Sequence, residues 1–273
     1  KARDTKILEK YFGEYPWAKE KIGIAAVPNS GMEHQTMITF QNKFNYTKIG
    51  VHDYSANLYH EYGHEWFANK VTNKDWAHMW IQEGITTYSE ALIHYELGGQ
   101  EAYDEIISRH KRNTRNKKPM VGGEELSEEE AYAGRDIYAK GSFFMHSLRY
   151  VLGDEIFLPT LKKLATDPRY TYDNFVTTKD VEELFSTESK QDLKPFFNFY
   201  VYTNEVLDIS VKEVGYQKYQ ITVNNFFMPL PLDIGPADKT TRTMVGKEGI
   251  VVSSNGAPQV DPKGHYLKKI TIQ

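Results

Sequence analysis

One stretch of the chain carries most of its chemical information: residues 60–90 read HEYGHEWFANKVTNKDWAHMWIQEGITTYSE. The first five letters form a His-Glu-x-x-His pattern within a helix predicted over residues 54–70. Because residues i and i+4 of a helix lie on one face about one turn apart, the two imidazoles can bind the same metal ion. The pattern therefore predicts a metal site held in part by His60 and His64.

The same stretch supplies a third ligand. A catalytic metal ion commonly has three protein ligands and one open position. Glu83 follows His64 after 18 intervening residues, on a second helix predicted over residues 80–97. If the two helices pack antiparallel, Glu83 can reach the histidines. The sequence therefore predicts one zinc ion per chain, bound by His60, His64 and Glu83.

Glu61 lies beside the metal-binding positions rather than in one. A carboxylate placed there can act as a general base toward a water molecule at the metal. An exposed polar helix face would also show alternating His and Glu residues, but Glu83 at a compatible spacing favours the metal site. Glu61 is therefore predicted to be catalytic.

Composition excludes several classes of protein. The chain has 273 residues, of which 40% are hydrophobic, so it can bury a core as one large domain or as a domain and a smaller module. Its 33 basic and 37 acidic residues give a net charge of −4, which predicts no binding to nucleic acid. The absence of cysteine excludes disulfides, thiolate metal sites and a cysteine nucleophile. No apolar stretch reaches the ~18 residues of a transmembrane helix.

The sequence pattern changes near residue 205. Upstream, helical periodicity dominates, apart from two short strands predicted within residues 22–40. Downstream, alternating segments are broken by Gly, Pro and Asn turns, which is typical of strands. The expected fold class is α+β, with a mostly helical domain over residues 1–204 that contains a small mixed sheet, and a β-module over residues 205–273.

Residues 60–90 resemble the zinc segment of the aminopeptidase N family of gluzincin metallopeptidases, which includes leukotriene hydrolase. That family has H-E-x-x-H, then 18 residues, then a Glu within W-x-x-E-G, and this chain matches each position. Trp66-Phe67-Ala68-Asn69 matches the family's W-F-G-N with Ala in place of Gly. The resemblance covers roughly residues 20–203 and implies a thermolysin-like catalytic domain followed by a small β-sandwich.

The same resemblance implies a longer parent protein. The family has an N-terminal β-domain and a helical C-terminal domain, and neither is expected within these residues. We therefore expect the chain to be a catalytic fragment whose parent has further domains. The compartment, cytoplasmic or exported, is left open.

A second motif is similar to the family's substrate-binding strand. Ser30-Gly31-Met32-Glu33-His34-Gln35 resembles its G-x-M-E-N segment, with His34 where the family has Asn. In the family, the Glu binds the substrate's free α-amino group and the strand backbone pairs with the peptide. The resemblance thus implies substrate binding by Gly31, Met32 and Glu33.

Two more positions carry family roles. Tyr138-Ala139-Lys140-Gly141 resembles the family's Y-x-K-G, whose Tyr donates a hydrogen bond to the oxyanion of the reaction. Glu90 matches a family acidic position seven residues after Glu83, where it could orient a ligand histidine; a surface salt bridge is the alternative. We therefore expect Tyr138 to be catalytic and Glu90 to support the ligands.

The implied function is zinc-dependent hydrolysis of the N-terminal bond of peptides that have a free N-terminus. A thermolysin-like endopeptidase is the first alternative, and Glu33 argues against it because an anion at the amine position disfavours a mid-chain peptide. An inactive peptide-binding homologue is the second, and the intact set of metal-binding and catalytic residues argues against it. Epoxide hydrolysis, a second activity of one family branch, stays open, as do side-chain preference and oligomeric state.

Overall fold

A computed structural model describes residues 2–41, 45–123, 126–236 and 239–273. The helices within these ranges are α1 Ala2–Phe12, α2 Ala56–Gly63, α3 Met79–Asn113, α4 Glu128–Tyr132, α5 Ala139–Leu152, α6 Asp154–Thr166, α7 Thr178–Ser189 and α8 Lys194–Val201. The strands are β1 Gly23–Val27, β2 Gly31–Met32, β3 Met37–Gln41, β4 Thr47–Ile49, β5 His52–Tyr54, β6 Thr72–Asn73, β7 Phe175–Val176, β8 Leu207–Gly215, β9 Lys218–Val223, β10 Leu230–Gly235, β11 Thr241–Val245, β12 Ile250–Ser253, β13 Gln259–Val260 and β14 Lys268–Ile272. This mixture of helices and small sheets confirms the α+β class.

The helix that carries the two histidines is shorter than predicted. α2 ends at Gly63, and the helix expected to continue to residue 70 is wrong in that part. The chain turns instead, because Trp66 and Phe67 are both fully buried and a helix would point two consecutive side chains in different directions. Ala68 completes the turn with a φ of 152°, outside the helical region.

The long helix α3 packs against α5 at very short range. Gly99, with a φ of 71°, breaks α3 where the predicted helix 80–97 was expected to stop. On the N-terminal side of this break, a Cβ on Gly84 would lie only 2.8 Å from the Cα of Gly141 in α5. Only glycine at both positions permits this approach, which brings the start of α5 next to Glu83.

The first sheet has three strands rather than the two predicted within residues 22–40. β3 lies between β1 and β2, parallel to β1 and antiparallel to β2. Ile38 and Phe40 of β3 are buried, which explains why this strand takes the centre of the sheet. As a consequence β2 is an edge strand, and it faces the first turns of α2.

After α8 the chain forms two sheets, ordered β12-β9-β8-β14 and β11-β10-β13. β11 and β13 were not predicted, because β11 is mostly exposed and polar and β13 has two residues. The three-stranded sheet packs on α5, where Tyr150 donates to Asp233 of β10 at 2.8 Å and stacks on His265, between β13 and β14, with ring centroids 3.8 Å apart. Among the described helices, none has the length and hydropathy required to span a membrane.

Candidate metal centre and active site

Three side chains predicted to bind metal converge between α2 and α3. His60 lies in the last turn of α2, His64 directly follows that helix, and Glu83 lies in the first turns of α3. The two Nε2 atoms are 3.1 Å apart, and Oε2 of Glu83 lies 3.3 Å from His60 Nε2 and 3.2 Å from His64 Nε2. Tetrahedral ligands about 2.0–2.1 Å from a zinc ion are separated by roughly 3.3–3.4 Å, so the three atoms fit zinc.

The opposite nitrogen of each imidazole has an acceptor that fixes the tautomer. Nδ1 of His60 lies 3.0 Å from Oε1 of Glu90, and Nδ1 of His64 lies 2.8 Å from the carbonyl oxygen of Phe67. Neither acceptor is a donor in this setting, so each Nδ1 carries the proton and donates it. The Nε2 atom of each imidazole therefore faces the position between the three side chains and is the nitrogen available to a metal ion.

Buried negative charge favours a cation at this position. Burial raises the pKa of Glu83 and of Glu90, but the nearby imidazoles outweigh burial and lower both below the usual range. Burial lowers the pKa of His60, but hydrogen bonds to Glu83 and Glu90 outweigh it and raise the pKa to about 10. Two buried carboxylates thus remain ionised and are satisfied by a proton on histidine or by a metal cation.

The predicted base Glu61 is buried next to the edge strand. Asn57, one turn earlier in α2, donates to Oε1 of Glu61 at 3.3 Å. Gly31 of β2 has a φ of 137°, and a Cβ there would lie 3.2 Å from Cγ of Glu61. Burial raises the pKa of the Glu61 carboxyl, which makes it a stronger base than a solvated glutamate.

Glu33 directly follows β2 and is half-buried. Gln82, the residue before Glu83, donates from Nε2 to Oε1 of Glu33 at 2.9 Å. The backbone carbonyl of Glu33 accepts from Asn69 Nδ2 at 2.8 Å. These two contacts hold the Glu33 carboxylate beside the metal-binding residues.

Tyr138 caps the start of α5 on the open side of the site. Its ring centroid lies 5.9 Å from that of His60. Partial burial, and then the charge of Glu83, raise the pKa of its phenol above the usual value. The hydroxyl therefore stays protonated and can donate a hydrogen bond into the site.

Two residues that the sequence did not single out support the predicted ones. Tyr132 of α4 donates to Oε1 of Glu83 at 3.2 Å. Glu65, fully buried, accepts from the backbone N of Thr36 at 3.0 Å and from Asn69 Nδ2 at 3.1 Å, and so holds the turn between β2 and β3. No motif or spacing pattern in the sequence indicates a supporting role for either residue. At Glu65, the only indication is that a carboxylate stands next to two aromatic residues, which are buried.

All nine predicted site residues line one cavity of about 730 Å³. They are Gly31, Met32, Glu33, His60, Glu61, His64, Glu83, Glu90 and Tyr138. Among the described residues, His60, His64 and Glu83 are the group of ligand atoms close enough to share a metal ion. The structure thus brings together side chains that lie more than 100 residues apart in sequence.

Known proteins match this chain in both sequence and fold. The peptidase family M1 domain matches residues 3–200. Tricorn protease-interacting factor F2 of Thermoplasma acidophilum is 23% identical over 93% of this chain and 34% of its own length. The mitochondrial aminopeptidase 2 of Saccharomyces cerevisiae is 24% identical over 100% of this chain and 31% of its own length. The chain thus spans about a third of these relatives.

Solved structures show the same fold. Legionella pneumophila aminopeptidase A, solved in complex with aspartic acid, has a TM-score of 0.76 at 19% identity, over 99% of this chain and 34% of that one. An M1 zinc metallopeptidase from Deinococcus radiodurans has a TM-score of 0.62 at 24% identity, over 75% of this chain and 44% of that one. Together with two imidazoles and a carboxylate as donors, these neighbours identify zinc as the metal. With a family domain matched over most of its length, the chain belongs to peptidase family M1.

Proposed function

We propose that this chain is the catalytic part of a zinc aminopeptidase that hydrolyses the first peptide bond of a substrate with a free N-terminus. The observation that carries the proposal is the convergence, in one cavity, of three metal-ligand atoms, a buried carboxylate base and a second, half-buried carboxylate. His60, His64 and Glu83 are the proposed zinc ligands, and Glu90 positions His60 through its Nδ1.

Glu61 is the proposed proton carrier. When bound, zinc lowers the pKa of a water molecule and polarises the scissile carbonyl. Glu61 accepts the water's proton and later delivers it to the leaving amine. Its burial favours the neutral form, so it holds the proton readily between the two steps. Asn57 fixes one carboxylate oxygen, which leaves the other for the proton.

Glu33 and β2 are the proposed substrate-binding elements. A free α-amino group, with a pKa of about 8, is mostly protonated at neutral pH and binds a fixed carboxylate. The backbone of Gly31 and Met32 lies at the sheet edge and can pair with an extended peptide. Gln82, which precedes the proposed ligand Glu83, holds the Glu33 carboxylate in the same cavity, where a bound amine would mark the end of the substrate.

Tyr138 is the proposed donor to the developing oxyanion. Its protonated phenol lies next to the His60 ring, on the open side of the site. A neutral hydroxyl there bonds more strongly to the charged transition state than to the carbonyl of the substrate.

The proposed domain boundary lies between residues 204 and 205. All the described α-helices precede it, and β8 to β14 follow it. We propose a thermolysin-like catalytic domain over 1–204 and a β-sandwich module over 205–273, which packs on α5.

The test compares a peptide with a free N-terminus and its N-acetylated form. We expect wild type to prefer the free form, and Glu33→Gln to lower kcat/KM for it by about 10–100-fold, because one charge-assisted hydrogen bond of about 1.5–3 kcal/mol is lost. The acetylated form should lose much less. Glu213→Gln, on the exposed part of β8, is the matched control. Equal losses on both peptides would exclude the amine role of Glu33, and a wild type that prefers the acetylated peptide would indicate an endopeptidase.

A further inference from the structure

A second cavity, of about 440 Å³, opens at the loop that follows α1. Residues 14–20 line it together with Lys70, from the segment between α2 and β6, and Tyr172, which precedes β7. Within the described ranges, it shares no lining residue with the catalytic cavity. We call it the Lys70 cavity, and it has no role in the chemistry proposed above.

Lys70 is buried without a charged partner. The residue is only 7% exposed. In the part of the chain that the structure describes, no carboxylate lies within 4.0 Å of its Nζ, and its side chain makes no hydrogen bond. Because a buried ammonium is costly unless it is paired, the Lys70 cavity presents a cation whose partner the protein does not supply.

An aromatic ring fixes the position of the Lys70 ammonium at the wall of the cavity. The Nζ lies 5.7 Å from the centroid of the Tyr172 ring, and that ring packs edge-on against Trp17 with centroids 5.9 Å apart. Tyr172 has a φ of 59°, a left-handed conformation that a bulky residue seldom adopts, and its backbone N donates to the carbonyl oxygen of Lys70 at 2.7 Å. Two aromatic side chains are thus held next to the cation, where a flat apolar group can pack.

The other charged side chains of the Lys70 cavity are exposed. Glu14, Lys19 and Glu20 lie on its rim, where water and salt screen them. Burial lowers the pKa of Lys70, and the charge of Glu14 offsets this only in part. An anion bound at Lys70 would supply the missing interaction, and the two glutamates favour a singly charged anion over a doubly charged one such as phosphate.

We propose that the Lys70 cavity binds a small aromatic carboxylate, with the carboxylate at the Lys70 ammonium and the ring packed on Trp17 and Tyr172. The volume of the cavity is in the range of pockets that hold small molecules. Lysine pairs with a carboxylate as a point charge, and the two rings supply the apolar contact. This binding site is separate from the proposed peptidase activity and does not depend on it.

The experiment uses phenylacetate as the probe and measures binding by calorimetry on the zinc-loaded protein. Phenethyl alcohol has the same ring without the charge, and acetate has the charge without the ring. We expect phenylacetate to bind about tenfold or more tightly than either, because each of them lacks one of the two contacts. Lys70→Met should remove this binding and keep the fold, since it replaces an unpaired charge with an apolar side chain of similar length.

Tyr172→Ala removes a half-exposed ring and leaves the charge, and it should weaken phenylacetate binding by about tenfold. Lys21→Met is the matched control, because Lys21 is exposed and lies outside the cavity, and it should bind as wild type does. Binding of a carboxylate at zinc would be unaffected by Lys70→Met, so identical isotherms for wild type and Lys70→Met would overturn the proposal.

Two further results would also contradict the proposal. Acetate or inorganic phosphate that binds as tightly as phenylacetate would show that the ring is not recognised. A much lower midpoint of thermal unfolding in Lys70→Met would show that the ammonium has a partner within the protein.

Discussion

At the scale of single residues, the two proposed zinc-binding histidines, His60 in α2 and His64 directly after it, are oriented by different groups. The Nδ1 proton of His60 goes to the carboxylate of Glu90, whereas that of His64 goes to the backbone carbonyl of Phe67. A charged acceptor makes the imidazole a stronger ligand, and a backbone acceptor fixes its orientation. The turn after α2 therefore has a chemical consequence, because it places the Phe67 carbonyl next to His64.

Tyr132 should matter for metal binding although it touches no metal position. Its hydroxyl holds Oε1 of Glu83, which leaves Oε2 facing the histidines. Removing such a support typically lowers metal affinity by about 10–100-fold. We expect Tyr132→Phe to raise the zinc dissociation constant by about tenfold, measured by competition with a chelator. Tyr216→Phe, at an exposed turn in the C-terminal strands, is the control; an unchanged constant in Tyr132→Phe would exclude this role.

The residues that the sequence motifs singled out are the ones that the structure brings together in one cavity. The nine predicted residues line one cavity because helix periodicity and the family resemblance both constrain their positions. Tyr132 and Glu65 were missed because their contacts depend on tertiary structure: α4 and the β2–β3 turn reach the site from elements whose placement no local pattern specifies.

At the scale of elements, the crossing of α3 and α5 determines the shape of the site. Gly84 follows Glu83, and Gly141 lies three residues after Tyr138, so the glycine of each motif sets the distance between the motifs. No pattern in the sequence predicts that these two glycines contact each other. Gly63 has a similar role between α2 and α3, since a Cβ there would lie 3.1 Å from Ser89 and Thr86.

A methyl group at Gly84 should force these helices apart. Its carbon would lie 2.8 Å from the Cα of Gly141 and from the carbonyl oxygen of Ile137, both backbone atoms that cannot rotate away. Overpacking of this kind costs about 1–3 kcal/mol. We expect Gly84→Ala to lower the free energy of unfolding by that amount in denaturant titrations. Gly246→Ala, with no atom within 4 Å of the added methyl, should change it little; equal effects of the two substitutions would count against the crossing.

At the scale of the whole molecule, the proposed zinc site connects α2, α3 and the segments that pack on them. Its proposed ligands and the groups that support them come from α2, the turn after it, α3 and α4, and Glu83 and Glu90 are both buried beside His60. A metal that binds only the folded chain stabilises it by about 4 kcal/mol at a concentration 1,000 times its dissociation constant.

Zinc removal should therefore lower the midpoint of thermal unfolding. We expect a chelator to reduce the midpoint by several degrees and added zinc to restore it. His60→Ala/His64→Ala, which lacks two ligands, should show no response to either treatment. A wild-type midpoint that is independent of zinc would mean that the metal does not bind the folded chain at this site.

The overall arrangement was predictable only in outline. The α+β class followed from the change of periodicity near residue 205, but strand pairing did not, because β3 inserts between β1 and β2 and pairs in parallel with β1. β11 and β13 also escaped prediction, since their pairing is determined by β10 rather than by their own patterns.

The zinc content of the purified protein is the most direct test of metal binding by His60, His64 and Glu83. Elemental analysis of wild type and of His60→Ala/His64→Ala, after dialysis against the same buffer, compares chains that differ only in two of the three proposed ligands. We expect one zinc per wild-type chain and almost none in the double variant, because one carboxylate alone holds zinc weakly. One zinc per chain in the double variant would show that the metal binds elsewhere and would contradict the proposed site.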